Sequence, residues 1–373
     1  EDCLRFLGRE LERLNSQRAV IVCGKSMTRE TKMMDLVRSA TGERYAGIFS
    51  GVRAHSPKES VIELAQLLLQ LKADAVVAIG GGSAIVTARA ASILLAEKGD
   101  LSSLSTVIDE KGSLRSPKLA APKIPQLIIP TTPTTAMVKA GSAVLDTDSG
   151  ERRALFDPKT RAQSIFIHPD FLRSTPRALV LGSGLNTFAM AIEGLTSLTG
   201  DYMADAVLMH STRLMKKQLA SPALEGDAAA RADLVIAAVL CGQGTDFTGA
   251  GMTTALGHII GSKHHLENGI VNAIILPYAL RFSAEVTQSG LSKVAIALDV
   301  TPTSDTLLVE SIIEDIEAFF IRLAVPRRLR DIGVTKNALS DIATLAMGDW
   351  FMRGNPRPVR NVSEIQHILE LAW

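Results

Sequence analysis

Three glycines and a serine, Gly80-Gly81-Gly82-Ser83, follow the apolar run Ala75-Val76-Val77-Ala78-Ile79 and precede a helical pattern from Ala84 to about Lys98. Glycines at a strand-to-helix turn let a phosphate approach the main chain. The helix start then offers unpaired N–H groups and a partial positive charge. The strand–glycine–helix setting makes this a phosphate-site candidate; a tight turn with no ligand is the alternative. Arg152-Arg153 and Lys159-Thr160-Arg161 lie around Asp157-Pro158. Arginine can grip a carboxylate or phosphate through two parallel bonds, and a solvated hairpin carries the same pattern. Histidine is the side chain that changes charge near neutrality. Lys263-His264-His265 reads equally as the mouth of a site or as a solvated loop; His55, His168, His210 and His367 read as structural or exposed. Cys3, Cys23 and Cys241 include no C-x-x-C pair, so they give neither a disulfide framework nor a zinc knuckle.

These residues need elements to position them. Residues 4–14 show helical periodicity, and Ala19-Val20-Ile21-Val22-Cys23 is a continuous apolar run suited to a strand buried on both faces of a parallel sheet. Residues 57–71 read as a helix, with Ser56 as N-cap, Pro57 in the first turn and Glu59 three residues after the cap. Gln126 to Ile129 is a further strand, closed by Pro130-Thr131-Thr132. This alternation predicts a doubly wound α/β sheet. From about residue 170 the strand patterns stop, and residues 179–198, 201–219, 227–241 and 310–323 read as helices. The chain is expected to divide into an α/β domain over 1–168 and an all-helical domain over 169–373, a length that suits two domains.

Lys+Arg is 40 against Asp+Glu 39, so no net field favours nucleic acid or an anionic membrane. The apolar run Leu234 to Cys241 is far shorter than the roughly 20 residues of a spanning helix. The start at Glu1-Asp2 shows no basic region ahead of an apolar one, so no signal peptide is visible. With sparse cysteines, the expected setting is a reducing cytoplasm, with no nucleic-acid and no membrane partner.

His55-Ser56-Pro57, followed by Ala73-Asp74 and the run through Ser83, resembles the nucleotide-binding signature of the iron-containing (group III) alcohol dehydrogenases. Pro130-Thr131-Thr132 resembles the start of that family's second phosphate-contacting loop. Ala191-Ile192-Glu193-Gly194 and Asn272-Ala273-Ile274-Ile275-Leu276-Pro277 resemble landmarks of its helical domain. The resemblance covers nearly the whole chain, in order. It implies a Rossmann-like N-terminal nucleotide-binding domain and an all-helical C-terminal domain, a dehydroquinate synthase-like arrangement with the active site in the cleft between them. It also implies NAD or NADP as cofactor, a small-molecule substrate and a homodimer. Gly80, Gly81, Gly82, Ser83, Thr131, Thr132, Thr135 and Lys25 become the cofactor-binding candidates.

The chain departs from the family where the metal would be held. The family uses an Asp and a His four apart on one helix, a His on a second helix and a His in the following loop. An i, i+4 pair shares one helix face and so can grip one ion. Here Asn186 stands at the Asp position, Met190 at the first His position, and Thr254 and Asn268 at the other two. None of the four is a good ligand for Fe²⁺ or Zn²⁺, and no charge balances the cation. No metal is therefore expected. The maleylacetate reductases, a branch regarded as metal-independent, are similar in carrying an Asn where Asn186 stands. Cys241-Gly242 and Phe49-Ser50-Gly51-Val52 also resemble that branch, although it keeps histidines that this chain lacks.

The second phosphate loop continues as Pro133-Thr134-Thr135-Ala136-Met137-Val138-Lys139, where the family has a glycine-rich stretch ending in Ser-Glu, and Val86 replaces a family Asp. The Thr134 and Thr135 hydroxyls can still bond phosphate oxygens, and Lys139 is a separate basic candidate. Gly24-Lys25-Ser26 lacks a ribose-binding Asp and so permits a 2′-phosphate. His258 stands where the family has a non-ligand active-site histidine, a place from which an imidazole can exchange a proton with a substrate oxygen; a histidine buried in a helix core is the alternative. The expected function is a metal-independent, NAD(P)H-dependent reductase of a small carbonyl, enone or keto acid, neutral or anionic. His258 would be the acid, Asn186 and Asn268 neutral donors, and Thr254 a partner on the same helix face. Two alternatives stay open: a repurposed hydrolase or lyase in the same cleft, and a non-catalytic nucleotide-binding homologue.

Overall fold

The computed structural model describes residues 2–109, 113–301 and 307–373. The chain divides into one unit ending at Thr175 and a second spanning Pro176–Trp373.

The first unit holds the strands β1 (Ala19–Gly24), β2 (Tyr45–Val52), β3 (Ala75–Gly80), β4 (Val107–Ile108), β5 (Leu114–Arg115), β6 (Gln126–Pro130), β7 (Gly141–Leu145), β8 (Arg152–Phe156) and β9 (Ser164–Ile165). Its helices are α1 (Leu7–Arg13), α2 (Thr31–Thr41), α3 (Lys58–Gln70), α4 (Gly82–Ala96) and α5 (Pro169–Arg173). The parallel sheet runs in the order β2-β1-β3-β6-β9, so the order reverses between β1 and β3. Both faces are covered, which is why β1, β3 and β6 are unbroken apolar runs rather than alternating ones. Ile21, Val77, Ile79 and Ile129 pack with Leu4, Leu7, Leu11 and Val37, while Val20, Val22, Val76 and Ile128 are equally buried on the opposite side.

Two local expectations change. Ser56 does not cap α3: its φ of 51° puts it in the left-handed region, and its hydroxyl donates to the Ser83 carbonyl at 3.2 Å. Helix α3 instead follows Pro57, with no side-chain cap. Of the basic cluster, Arg152 and Arg153 lie on β8 in an antiparallel hairpin with β7, Lys159 and Arg161 follow that strand, and these cations are engaged inside the unit. Arg153 Nε donates to Asp146 at 2.8 Å, Lys159 Nζ to the Leu119 carbonyl at 2.7 Å, and Arg161 to the Val138 carbonyl; Arg152 Nη2 lies 3.3 Å from His55 Nδ1. Lys58 also donates to Asp146, at 2.9 Å, and with Arg153 it lowers that carboxyl to about 2. A depressed carboxyl stabilises the fold above its ordinary value of roughly 4 and loses that contribution on acidification. Asp146→Asn should therefore cost about 1 kcal/mol at neutral pH. The gap between wild type and variant in urea unfolding should close as pH falls toward 2.

Among its described residues the second unit is helical throughout: α6 (Arg177–Leu195), α7 (Tyr202–Leu219), α8 (Ala228–Thr248), α9 (Met252–His264), α10 (Asn268–Ser283), α11 (Gln288–Leu298), α12 (Leu308–Arg322), α13 (Leu339–Met347) and α14 (Val362–Ala372). Asp201 and Asp227 cap α7 and α8 by accepting from the Ala204 and Ala229 N–H groups at 2.8 and 2.7 Å. Met252, Leu256, Ile260, Val271, Ile275, Ile342, Ile365 and Leu369 form a core shared by α9, α10, α13 and α14. The stretches Arg177–Leu195 and Asn268–Val286 are long and apolar enough to cross a membrane, a length the shorter runs read from sequence did not suggest. They are 72% and 61% buried within the fold, which is the condition of core helices.

Candidate functional site

Parallel pairing brings the carboxyl ends of the strands to one edge of the sheet. There Cys23 lies opposite Ile79, and Gly80 opposite Pro130. In open α/β sheets a ligand binds outside this edge where the strand order reverses, here between β1 and β3. Lys25 is exposed just beyond β1, Gly80–Ser83 joins β3 to α4, and Thr131 and Thr132 follow β6. Gly81 precedes α4 in an extended conformation, and no side chain caps the helix. The first N–H groups of α4 therefore have no intrahelical acceptor. A Cβ on Gly81 would lie 2.7 Å from Thr132 Oγ1, so only glycine keeps a notch lined by main chain and hydroxyl. A Cβ on Gly82 would lie 3.2 Å from Thr134 Oγ1, a tight but smaller overlap, and Thr134 Oγ1 accepts from the Ala136 N–H at 3.3 Å. The Thr131 N–H donates to the Gly80 carbonyl at 3.1 Å, which ties the two loops together. Thr131, Thr132 and Thr135 are buried beside this notch, and Val86 is half-buried in the first turns of α4. N–H groups at a helix start flanked by hydroxyls are the donor set a pyrophosphate needs, and the residues present fit one.

In the second unit, α6, α9 and α10 pack on one another. Gly257 admits Asn272, because a Cβ there would lie 1.7 Å from Asn272 Oδ1. The Asn272 side-chain amide lies between Asn186 and the carbonyls of Thr253 and Asn268, and its Nδ2 donates to Asn186 Oδ1 at 3.0 Å. The Asn186 amide also lies 3.5 Å from the Met190 sulfur. Asn186 and Met190 are thus brought together, while Asn268 joins them through its main chain and turns its amide oxygen toward Gly261.

Thr254 is fully buried, and its hydroxyl donates to Glu193 Oε2 at 2.6 Å. Glu193 also accepts the Thr253 N–H at 2.6 Å and the Thr254 N–H at 3.3 Å. A carboxylate from α6 therefore caps α9, whose own N-cap is Gly251. Burial pushes the Glu193 carboxyl up, against the hydrogen bonds from Thr254 and its neighbours. His258 sits one turn beyond Thr254, half-buried, with its ring 5.3 Å from that of Phe351. Burial, with Lys263 and His265 nearby, pulls the His264 imidazole down; His265 is exposed. Glu193 and Asn272 were visible in the sequence only as landmarks. The signal that marks them is a polar residue inside an otherwise apolar helical run, which must find a partner when buried.

The chain belongs to the iron-containing alcohol dehydrogenase family: the family's models match residues 1–169 (iron-containing alcohol dehydrogenase) and 180–373 (its C-terminal region). It is 27% identical to the lactaldehyde reductase of Escherichia coli (strain K12) over 372 residues, 98% of this chain and 94% of the relative. The crystal structure of a 1,3-propanediol oxidoreductase aligns with a TM-score of 0.89 at 22% identity, over 99% of this chain and 96% of that one. Maleylacetate reductase from Agrobacterium tumefaciens aligns with a TM-score of 0.77, also at 22% identity, over 99% and 93%.

The family's iron does not fit the residues present. Asn186, Met190 and Asn268 are neutral, and the Thr254 hydroxyl is committed to Glu193. Among the described residues no three of His, Cys, Asp and Glu gather to hold an ion.

Proposed function

We propose that this oxidoreductase uses NADH or NADPH to reduce a small carbonyl, enone or keto acid without a metal ion. The observation that carries the reading is the glycine notch closed by Thr132 and Thr134 at the point where the strand order reverses. The nicotinamide, when bound, supplies the hydride. The pyrophosphate is held by the N–H groups of Gly81 to Ser83 and by the hydroxyls of Thr131, Thr132, Thr134 and Thr135. His258 gives a proton to the substrate oxygen, and Asn186 offers a neutral donor to it. Thr254 and Glu193 hold the start of α9, and hence His258, in place. The names of the relatives, reductases and oxidoreductases of small molecules, support a substrate of that size. A cytoplasmic homodimer is part of the same proposal; sedimentation at micromolar concentration tests the assembly.

Titration of NADH and NADPH by fluorescence and calorimetry tests the nucleotide. Gly81→Val fills the notch against Thr132 and is expected to weaken binding by about tenfold or more, the loss of one charge-assisted bond or greater. With no carboxylate at Gly24 and a cation at Lys25, NADPH is expected to bind more tightly than NADH, and Lys25→Ala should narrow that difference. Absence of binding for either nucleotide at millimolar concentration would point to a non-redox enzyme.

A further inference from the structure

Arg89 lies about two turns into α4 and is fully buried, with no exposed surface. A buried guanidinium is costly unless its donors are met. Main-chain carbonyls accept from both of its terminal nitrogens: Nη1 donates to Gly141 at 2.7 Å and Nη2 to Ala136 at 2.5 Å. Ala136 belongs to the short 3-10 turn Thr135–Met137, which Thr134 opens and whose far end is held at Val138 by Arg161. The helix that carries Arg89 begins at Gly82, beside Thr134 Oγ1. One planar guanidinium group, bonded to main-chain carbonyls on two segments, thus ties the helix that forms one wall of the notch to the turn that forms the other. An apolar residue would fill the same volume without fixing that distance. We propose that Arg89 is a positioning residue for the nucleotide pyrophosphate, acting through the turn that presents Thr134 and Thr135. This rests on the nucleotide reading above. Preorganising both walls before the ligand arrives raises affinity by removing an ordering cost from the binding step.

The test is calorimetric titration of NADPH into wild type, Arg89→Lys, Arg89→Met, Thr134→Val and the Arg89→Met/Thr134→Val double variant. Hydrogen exchange of residues 131–138 is followed in the ligand-free proteins. Arg89→Met should weaken binding by about tenfold or more, the range for a hydrogen bond to a charged group, and Arg89→Lys should recover part of the loss. In the Thr134→Val background the same change should cost less than about twofold, because coupled residues are not additive. Exchange in 131–138 should rise selectively in Arg89→Met. Wild-type affinity in Arg89→Met, or an equal loss with and without the Thr134 hydroxyl, overturns the proposal while leaving the nucleotide reading intact. If Arg89→Met does not fold, Arg89→Lys decides: weaker binding with faster exchange in 131–138 supports the role, and wild-type behaviour in both overturns it. A wild type that binds neither NADPH nor NADH removes the nucleotide reading and this proposal with it.

Discussion

Glu193→Ala is expected to destabilise the protein by about 3 kcal/mol or more, because it orphans several buried donors that each cost about 1–3 kcal/mol. Those donors are the N–H groups of Thr253 and Thr254 and the Thr254 hydroxyl, all of which now meet the Glu193 carboxylate. Glu193→Gln keeps an acceptor oxygen and should cost less. The two variants also separate packing from charge. Burial raises the Glu193 carboxyl above its ordinary value of roughly 4.3. The folded protein then holds the proton more tightly than the unfolded chain does. Stability from this site is fully present below the ordinary value and declines as pH rises through the raised one. Urea unfolding across pH 4 to 8 should show that decline in wild type and a flatter profile in Glu193→Gln. Identical pH profiles would mean that the hydrogen bonds to the carboxylate, not its burial, set its protonation.

His258→Ala is expected to lower kcat by at least about 10²-fold, since a general acid contributes about 10²–10⁴-fold. In the proposed metal-independent reaction, the developing negative charge is met by a proton or by hydrogen-bond donors. His258 lies one turn beyond Thr254 on the helix whose start Glu193 and Thr254 fix, with Lys263 and His264 further along it. Nucleotide affinity should stay near wild type, because the residues proposed to bind the pyrophosphate do not include His258. The assay follows NADPH and NADH oxidation with small aldehydes, enones and keto acids. Retention of more than about a tenth of wild-type kcat, well short of the general-acid range, would make His258 a packing residue against Phe351.

The fold was legible where burial is uniform. Ala19–Gly24, Ala75–Gly80 and Gln126–Pro130 are covered on both faces, so their apolar runs announce them. Asp201 and Asp227 mark the helix starts they cap. Tyr45–Val52 was not legible as a strand, because it lies at the sheet edge, is mostly half-buried and carries Gly47 and Gly51. Ser56 misled because its local pattern fits a cap, whereas a tertiary partner, Ser83, claims its hydroxyl. At the candidate site the glycine loop is readable from strand–turn–helix context, and the threonines beside it from the family resemblance. The link between Thr254 and Glu193 is not, because it joins residues 61 apart on different helices. Arg89 is hidden for a similar reason: a charged residue in a helical pattern suggests a solvated face, and only the packing shows it buried against two carbonyls.

The most direct test of the central claim is NADPH and NADH oxidation across a panel of small carbonyl substrates, using protein dialysed against chelator and analysed for metals. Turnover that persists with iron and zinc far below stoichiometric, and that added Fe²⁺ or Zn²⁺ does not raise, is the predicted result. Turnover abolished by the chelator and restored by either ion would contradict the account, as would stoichiometric metal surviving dialysis.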